Sequence, residues 1–222
     1  MTSTHLTEKS DPFCLARLDA AALLFGAPWR RFAVIGDSLS AGTGDPSPGY
    51  EDKGWSDRLA DVLRCVRPDL EYLNTAEDGA TTAQTLEKQM DHAQKFEPDL
   101  LHLPCGANDL VRRHPDFEEI EHKLRRMYEL ASQTGAQLTT FTLGRAYVIS
   151  VFPDWGERVA RINDITRGLA AEYGAVVVDM WDHPVNEREN LLSEDRIHFS
   201  TSGQAVMEAE MVKSLSNTFT CP

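Results

Sequence analysis

Residues 31–42 read Arg-Phe-Ala-Val-Ile-Gly-Asp-Ser-Leu-Ser-Ala-Gly, an apolar run that stops abruptly at Gly36-Asp37-Ser38. Phe32 to Ile35 have the composition of a short buried strand, and Gly36 lets the backbone leave the sheet with little side-chain hindrance. A serine is thereby left at the carboxyl end of a strand. In open α/β sheets that edge is where ligands bind, because the loops splay apart there and the next helix points its N-terminus into the gap. From this stretch alone Ser38 reads two ways: as a nucleophile, or as the N-cap of the segment that follows.

On the amino-terminal side, residues 1 to about 10 read as a polar tail, and Asp11 to Trp29 as one short helix closing at Gly26 and Pro28. Residues 1–28 are therefore expected to form a polar tail and short helical extension, and 29–222 a single domain. On the other side, Thr43 to Gly54 holds Gly44, Gly49, Gly54, Pro46 and Pro48, a composition expected of a wall or lid beside the site.

Beyond it, strand and helix alternate. Trp55, Leu59, Val62, Leu63 and Val66 recur at helical spacing before Pro68. A strand is expected over Glu71–Ala76, one helix over about Ala80–Phe96, and a strand over Asp99–Cys105. After Pro115 and Asp116 comes a long helix with the stripe Phe117, Ile120, Leu124, Met127 and Leu130, stopped at Gly135. Gln137–Leu143 and the β-branched run Ala175–Trp181 read as the last strands, separated by a helix over Glu157–Tyr173. A final helix is expected over about Ser202–Leu215, with Thr201 and Gln204 spaced as a capping box. Such alternation specifies a parallel sheet between helix layers, an α/β architecture. No repeat, low-complexity tract or linker interrupts residues 31–215.

At 222 residues, with 41% hydrophobic and 26% charged side chains, the chain can bury a core without disulfides or a metal. A formal net charge of -13 argues against nucleic acid as a partner, since phosphate binding draws on Lys and Arg, and against anionic membrane surfaces. Cys14, Cys65, Cys105 and Cys221 lack CxxC pairing and read as free thiols of a reducing compartment. Ala20 to Phe25 is too short and too acidic in its lead-in for a signal peptide or membrane span. A cytoplasmic location is expected, without membrane insertion; the oligomeric state is not legible.

If the strands are parallel, their carboxyl ends share one rim. The first delivers Ser38, the second Asn74 and Gly79, the third Gly106-Ala107-Asn108-Asp109, and the segment before the last helix Asp195-Arg196-Ile197-His198. Serine is a poor nucleophile near neutral pH and needs a base held by a third group. His198 suits the base, and Asp195, three residues away, can fold back to fix its tautomer. The backbone N–H groups of Ser38 and Gly79 and the amide of Asn108 suit an oxyanion hole. Each motif alone also occurs in ordinary turns.

Together they resemble the SGNH hydrolase family, also called GDSL esterases and lipases. The match rests on Gly36-Asp37-Ser38-Leu39-Ser40, Gly79, Gly106-Ala107-Asn108-Asp109 and Asp195-Arg196-Ile197-His198, and spans about Arg31 to Leu215. The leading segments are similar to small intracellular actinobacterial members. The resemblance implies a flavodoxin-like three-layer α/β/α sandwich whose five parallel strands run in the order 2-1-3-4-5. It also implies a catalytic Ser38–His198–Asp195 triad, an oxyanion hole of Ser38, Gly79 and Asn108, and no cofactor.

Asp37 is expected to hold the turn, Cys105 to be a buried small hydrophobe, and His5, His92, His102, His114, His122 and His183 to be structural or exposed, since none shows metal-ligand spacing. The loops Thr43–Gly54, Val111–Asp116 and Arg145–Gly156 are expected to line the pocket. Tyr50, Arg145 and Tyr147 are the substrate-binding candidates, with Trp55, Arg112, Phe152 and Trp155 nearby. The expected reaction is hydrolysis of an ester or thioester through an acyl-enzyme on Ser38. Acyl transfer by the same intermediate, or a catalytically silent binding module, are the alternatives.

Overall fold

The computed structural model describes residues 6–219. Four parallel pairings join five strands in the order β2-β1-β3-β4-β5. They are β1 (Arg31–Val34), β2 (Glu71–Asn74), β3 (Leu100–His102), β4 (Gln137–Phe141) and β5 (Val176–Val178). In β1, β3 and β4 nearly every residue is buried, as a strand covered on both faces requires. One helix group, α1 (Arg17–Leu23), α3 (Trp55–Val66) and α8 (Thr201–Ser216), packs together. The other comprises α4 (Thr82–Lys88), α5 (Met90–Phe96), α6 (Phe117–Ser132) and α7 (Trp155–Tyr173). The fold is the three-layer α/β/α sandwich with the 2-1-3-4-5 strand order.

Local departures from the sequence expectation have physical causes. The helix expected over Ala80–Phe96 breaks at Gln89 into α4 and α5. Gln89 is buried, and its amide accepts from the Gly36 N–H at 2.7 Å and donates to the Gly36 carbonyl at 2.9 Å. The N-cap of α8 is Ser200, whose hydroxyl accepts from the Gly203 N–H, and not Thr201. Thr201 Oγ1 instead accepts from Ser47 N, while Gln204 Oε1 accepts from Trp55 N. Those bonds stitch residues 43–54 onto the start of α8, so this loop is a strap across the fold and not a lid.

Residues 1–5 of the expected polar tail and Cys221 lie outside the described residues. Thr7 to Ser10 form a turn, and Glu8 accepts from buried Arg58 at 2.8 Å. Asp11 is buried and takes two guanidinium bonds from Arg188, at 2.5 and 2.7 Å, plus the Tyr50 hydroxyl at 2.8 Å. A bidentate pair of this kind, fully hydrogen-bonded, holds the amino-terminal segment to the loop before α8.

Glu208 on α8 is buried, and its Oε1 has no hydrogen-bond partner among the described residues. Burial pushes its carboxyl up to about 7, against the attraction of Arg58 and with repulsion from Glu8. A carboxyl that holds its proton more tightly when folded lowers stability as pH rises from its unfolded value of 4.5 through about 7. Glu208→Gln is expected to stabilise the protein by about 2 kcal/mol at pH 8 and by little at pH 4.5. Urea denaturation at the two pH values measures this, and an equal effect at both would contradict it.

Candidate active site

Because all five strands are parallel, the segments leaving β1, β2 and β3 emerge at one edge. Gly36 has φ +145°, and a Cβ there would lie 2.4 Å from Ser40 Oγ, so only glycine permits the chain to turn this sharply. The turn feeds a short helix, α2 (Ser38–Ala41), whose N-cap is Asp37, with Oδ1 accepting from Leu39 N at 3.1 Å. Capping is therefore done by Asp37, and Ser38 stands at the first helical position. Burial raises the Asp37 carboxyl to about 6, opposed by the N–H groups of Leu39 and Ser40 and assisted by the charge of Asp109.

The partner arrives from the other end of the chain. Ser193 N donates to His198 O at 2.7 Å, and Leu192 bridges Phe199, closing a tight turn in which Arg196 takes φ +61°. Asp195 Oδ1 accepts from the N–H groups of Ile197 and His198 at 2.8 and 3.0 Å. That fixes the carboxylate and leaves Oδ2 2.6 Å from His198 Nδ1. Burial pushes the Asp195 carboxyl up, but these N–H groups and the imidazole outweigh it, and the net position is below the usual range. On the far side of the ring, His198 Nε2 lies 2.8 Å from Ser38 Oγ. The three groups form one hydrogen-bonded line from carboxylate to hydroxyl.

Two further segments face the same edge. Gly79 has φ +76° in a turn closed by Ala80 N donating to Glu77 O, and a Cβ there would meet nothing within 4 Å. Backbone conformation therefore selects the glycine, and open space lies beside it. Its N–H has no acceptor among the described residues. From the 3-10 turn Ala107–Leu110, Asn108 Nδ2 donates to Ala80 O at 3.1 Å and, loosely, to Asp37 Oδ2 at 3.4 Å. Ser38, Gly79 and Asn108 thus belong to segments joined by direct contacts.

The substrate-binding candidates separate. Tyr50 is buried with its hydroxyl on Asp11, and Trp55 is fully buried with its indole donating to Leu39 O. Their polar ends are taken up within the fold, and neither residue lines the recesses beside the Arg145–Gly156 loop. Tyr147 is buried beside Leu39 and Ile197, and burial together with the charges of Asp37 and Asp195 pushes its phenol up. Arg145 is exposed, ion-paired with Asp182 and stacked over Trp181 at 5.1 Å. The loop around Arg145–Gly156 separates two recesses. One, about 570 Å³, lies between Val148, Ile149 and Val151 and the segment Asp195–Ile197. The other, about 440 Å³, is lined by Arg145, Phe152, Trp155 and Trp181.

Sequence reasoning missed the braces behind this surface. Asp109, seen only as part of a turn, accepts from Thr82 N at 2.8 Å and Thr82 Oγ1 at 3.1 Å. Buried Arg158 reaches the carbonyls of Leu110, Arg112 and Arg113 and carries Phe152 against its guanidinium. Cys105 is buried, with its thiol pushed up by burial. His102 is buried, brought down to about 3 by burial, and stacked on Phe141. No cluster of metal-ligating residues occurs among the described residues, and no described helix is long and apolar enough to cross a membrane.

A serine at a strand end, paired with a histidine on a three-layer α/β/α scaffold, defines a class: the serine-dependent acyl hydrolases. The family model for GDSL-like lipases and acylhydrolases matches residues 34–206, bracketing both Ser38 and His198. The chain belongs to that family and is a carboxylic ester hydrolase. An arylesterase of Vibrio mimicus is 27% identical over 208 residues, covering 91% of this chain and 95% of the relative. Among solved structures, LAE5, an alpha/beta hydrolase enzyme from the metagenome of Lake Arreo, superposes with a TM-score of 0.69 at 20% identity, covering 86% of this chain and 97% of that one. TesA gives 0.66 at 21%, covering 85% and 99%. Axe2, an acetylxylan esterase from Geobacillus stearothermophilus, gives 0.67 at 19%, covering 86% and 95%. At these identities the structural likeness speaks to the fold.

Proposed function

We propose that the chain cleaves its ester through an acyl-enzyme on Ser38. The observation that carries this reading is the unbroken line Asp195 Oδ2–His198 Nδ1, 2.6 Å, and His198 Nε2–Ser38 Oγ, 2.8 Å. As Ser38 Oγ attacks the carbonyl carbon, His198 Nε2 takes its proton, and Asp195 stabilises the imidazolium while holding its tautomer. The tetrahedral oxyanion is met by the N–H groups of Ser38 and Gly79 and by Asn108. His198 then protonates the departing alkoxide, activates a water for attack on the acyl carbon, and returns the proton to Ser38. The mechanism calls on no cofactor.

Water is the acceptor we favour over a second alcohol or amine, because the His198 side chain is 22% exposed and Asp195 45%, leaving the base open to solvent. The aromatic and apolar recesses on either side of the loop around Arg145–Gly156 suit a small acyl group and an aryl or alkyl leaving group. A fluorophosphonate probe is expected to label the folded protein at Ser38 only, read by peptide mass spectrometry, and labelling is expected to vanish in His198→Ala. Absence of labelling in folded wild-type protein would favour a silent binding module. Product analysis with competing alcohols would expose acyl transfer.

A further inference from the structure

Gly79 can serve as an oxyanion donor only if its segment keeps a fixed distance from Ser38, and the loop that carries it is exposed over Glu77–Gly79. On its far side the segment is well held. The Ala80 carbonyl takes the Asn108 amide, and Thr82 is bound twice by Asp109. On the Ser38 side, Glu77 N donates to Gly36 O, and one side-chain contact follows: Thr43 Oγ1 donates to Asp78 Oδ1 at 2.6 Å.

Thr43 is itself anchored to the nucleophile. Its N–H donates to the Ser38 carbonyl at 3.1 Å, beside the Gly42 N–H that caps α2. Its own carbonyl accepts from Gln204 Nε2 at 3.3 Å. A continuous path therefore runs Ser38 carbonyl, Thr43 backbone, Thr43 hydroxyl, Asp78 carboxylate, Gly79. Through the Thr43–Asp78 bond, which spans 35 residues of sequence, it joins the two backbone donors of the proposed oxyanion hole.

We infer that Thr43 and Asp78 are positioning residues: their hydrogen bond sets the Gly79 N–H at the distance from Ser38 that the transition-state oxygen requires. The inference rests on the acyl-enzyme reading. A bond at an exposed loop tip contributes little to global stability. A donor displaced by a fraction of an ångström still forfeits much of its transition-state stabilisation. The two residues are thus expected to affect catalysis far more than folding.

The test uses the full chain and p-nitrophenyl acetate. Thr43→Val, which keeps shape and removes the donor, and Asp78→Ala are each expected to lower kcat by about 10- to 30-fold with KM within about twofold. Thr43→Ser, which retains the hydroxyl, is expected to stay within about threefold of wild type. The double variant is expected to be no worse than either single one, because both break the same bond. Melting temperatures of all four are expected to match wild type. Losses that multiply in the double variant, a fall that tracks melting temperature, or kcat within twofold of wild type in both single variants would overturn the latch. The rate of fluorophosphonate labelling at Ser38, whose phosphonyl oxygen enters the same hole, is expected to fall in parallel. Turnover that survives Ser38→Ala would instead overturn the acyl-enzyme reading itself, an outcome separable from failure of the latch alone.

Discussion

Ser38→Ala is expected to lower kcat/KM for a short p-nitrophenyl ester by about 10⁴-fold or more. The hydroxyl is the group aligned with His198 Nε2, and without it no oxygen is held within reach of that base. The result would be interpretable because folding is insulated from the change. The α2 helix is capped by Asp37 through Leu39 N, not by Ser38, so alanine removes the proposed nucleophile and leaves the cap. Ser38 is also buried, and a methyl group in its place leaves no unpaired donor. His198→Ala is expected to cost a similar amount, since serine without its base is as inert as no serine. Asp195→Ala is expected to cost about tenfold less, because the imidazole remains and only its orientation and charge stabilisation suffer. Steady-state kinetics on the three variants, with circular dichroism to confirm folding, gives the order. Wild-type-like turnover in Ser38→Ala would rule out the nucleophile, and Asp195→Ala as the worst of the three would mean that the roles are misassigned.

The parts of the site that were legible in the sequence are those whose meaning is local. Ile35-Gly36-Asp37-Ser38 announces a strand end by an apolar run and a glycine, and Asp195 and His198 are close enough for one turn to join them. Of the two readings of Ser38, the geometry gives the cap to Asp37 and leaves the Ser38 hydroxyl against His198, which supports the nucleophile reading. What the sequence hid depends on contacts between distant segments. Periodicity across Ala80–Phe96 cannot register that Gln89 leaves the helical run to satisfy both polar groups of Gly36, 53 residues earlier. Three adjacent hydroxyl residues, Ser200, Thr201 and Ser202, offer equivalent caps until packing commits Thr201 to Ser47. Aromatic residues near a site look alike in composition. Tyr50 and Trp55 have their polar ends taken up by Asp11 and the Leu39 carbonyl, while Tyr147 lies beside the Ser38 and His198 segments.

The second large effect is expected at Asn108. In the free protein its Nδ2 hydrogens go to the Ala80 carbonyl at 3.1 Å and to Asp37 Oδ2 at 3.4 Å. The first bond fixes the amide beside the Gly79 turn. The second is long enough to be exchanged for a substrate oxygen at small cost, since bonds at this distance are weak. The incoming carbonyl oxygen carries little charge in the bound ester and nearly a full charge in the tetrahedral state, so the exchange strengthens as reaction proceeds. Asn108→Ala is therefore expected to lower kcat by about 10²- to 10³-fold while changing KM by no more than about threefold. Asn108→Asp is expected to be worse than Asn108→Ala, because a carboxylate there repels both the oxyanion and Asp37. A structural role for Asn108 would predict a different pattern: a lowered melting temperature, KM and kcat disturbed together, and Asn108→Asp no worse than Asn108→Ala. Measuring kcat, KM and thermal stability of the two variants with the same p-nitrophenyl ester separates these cases, and the structural pattern would remove Asn108 from the oxyanion hole.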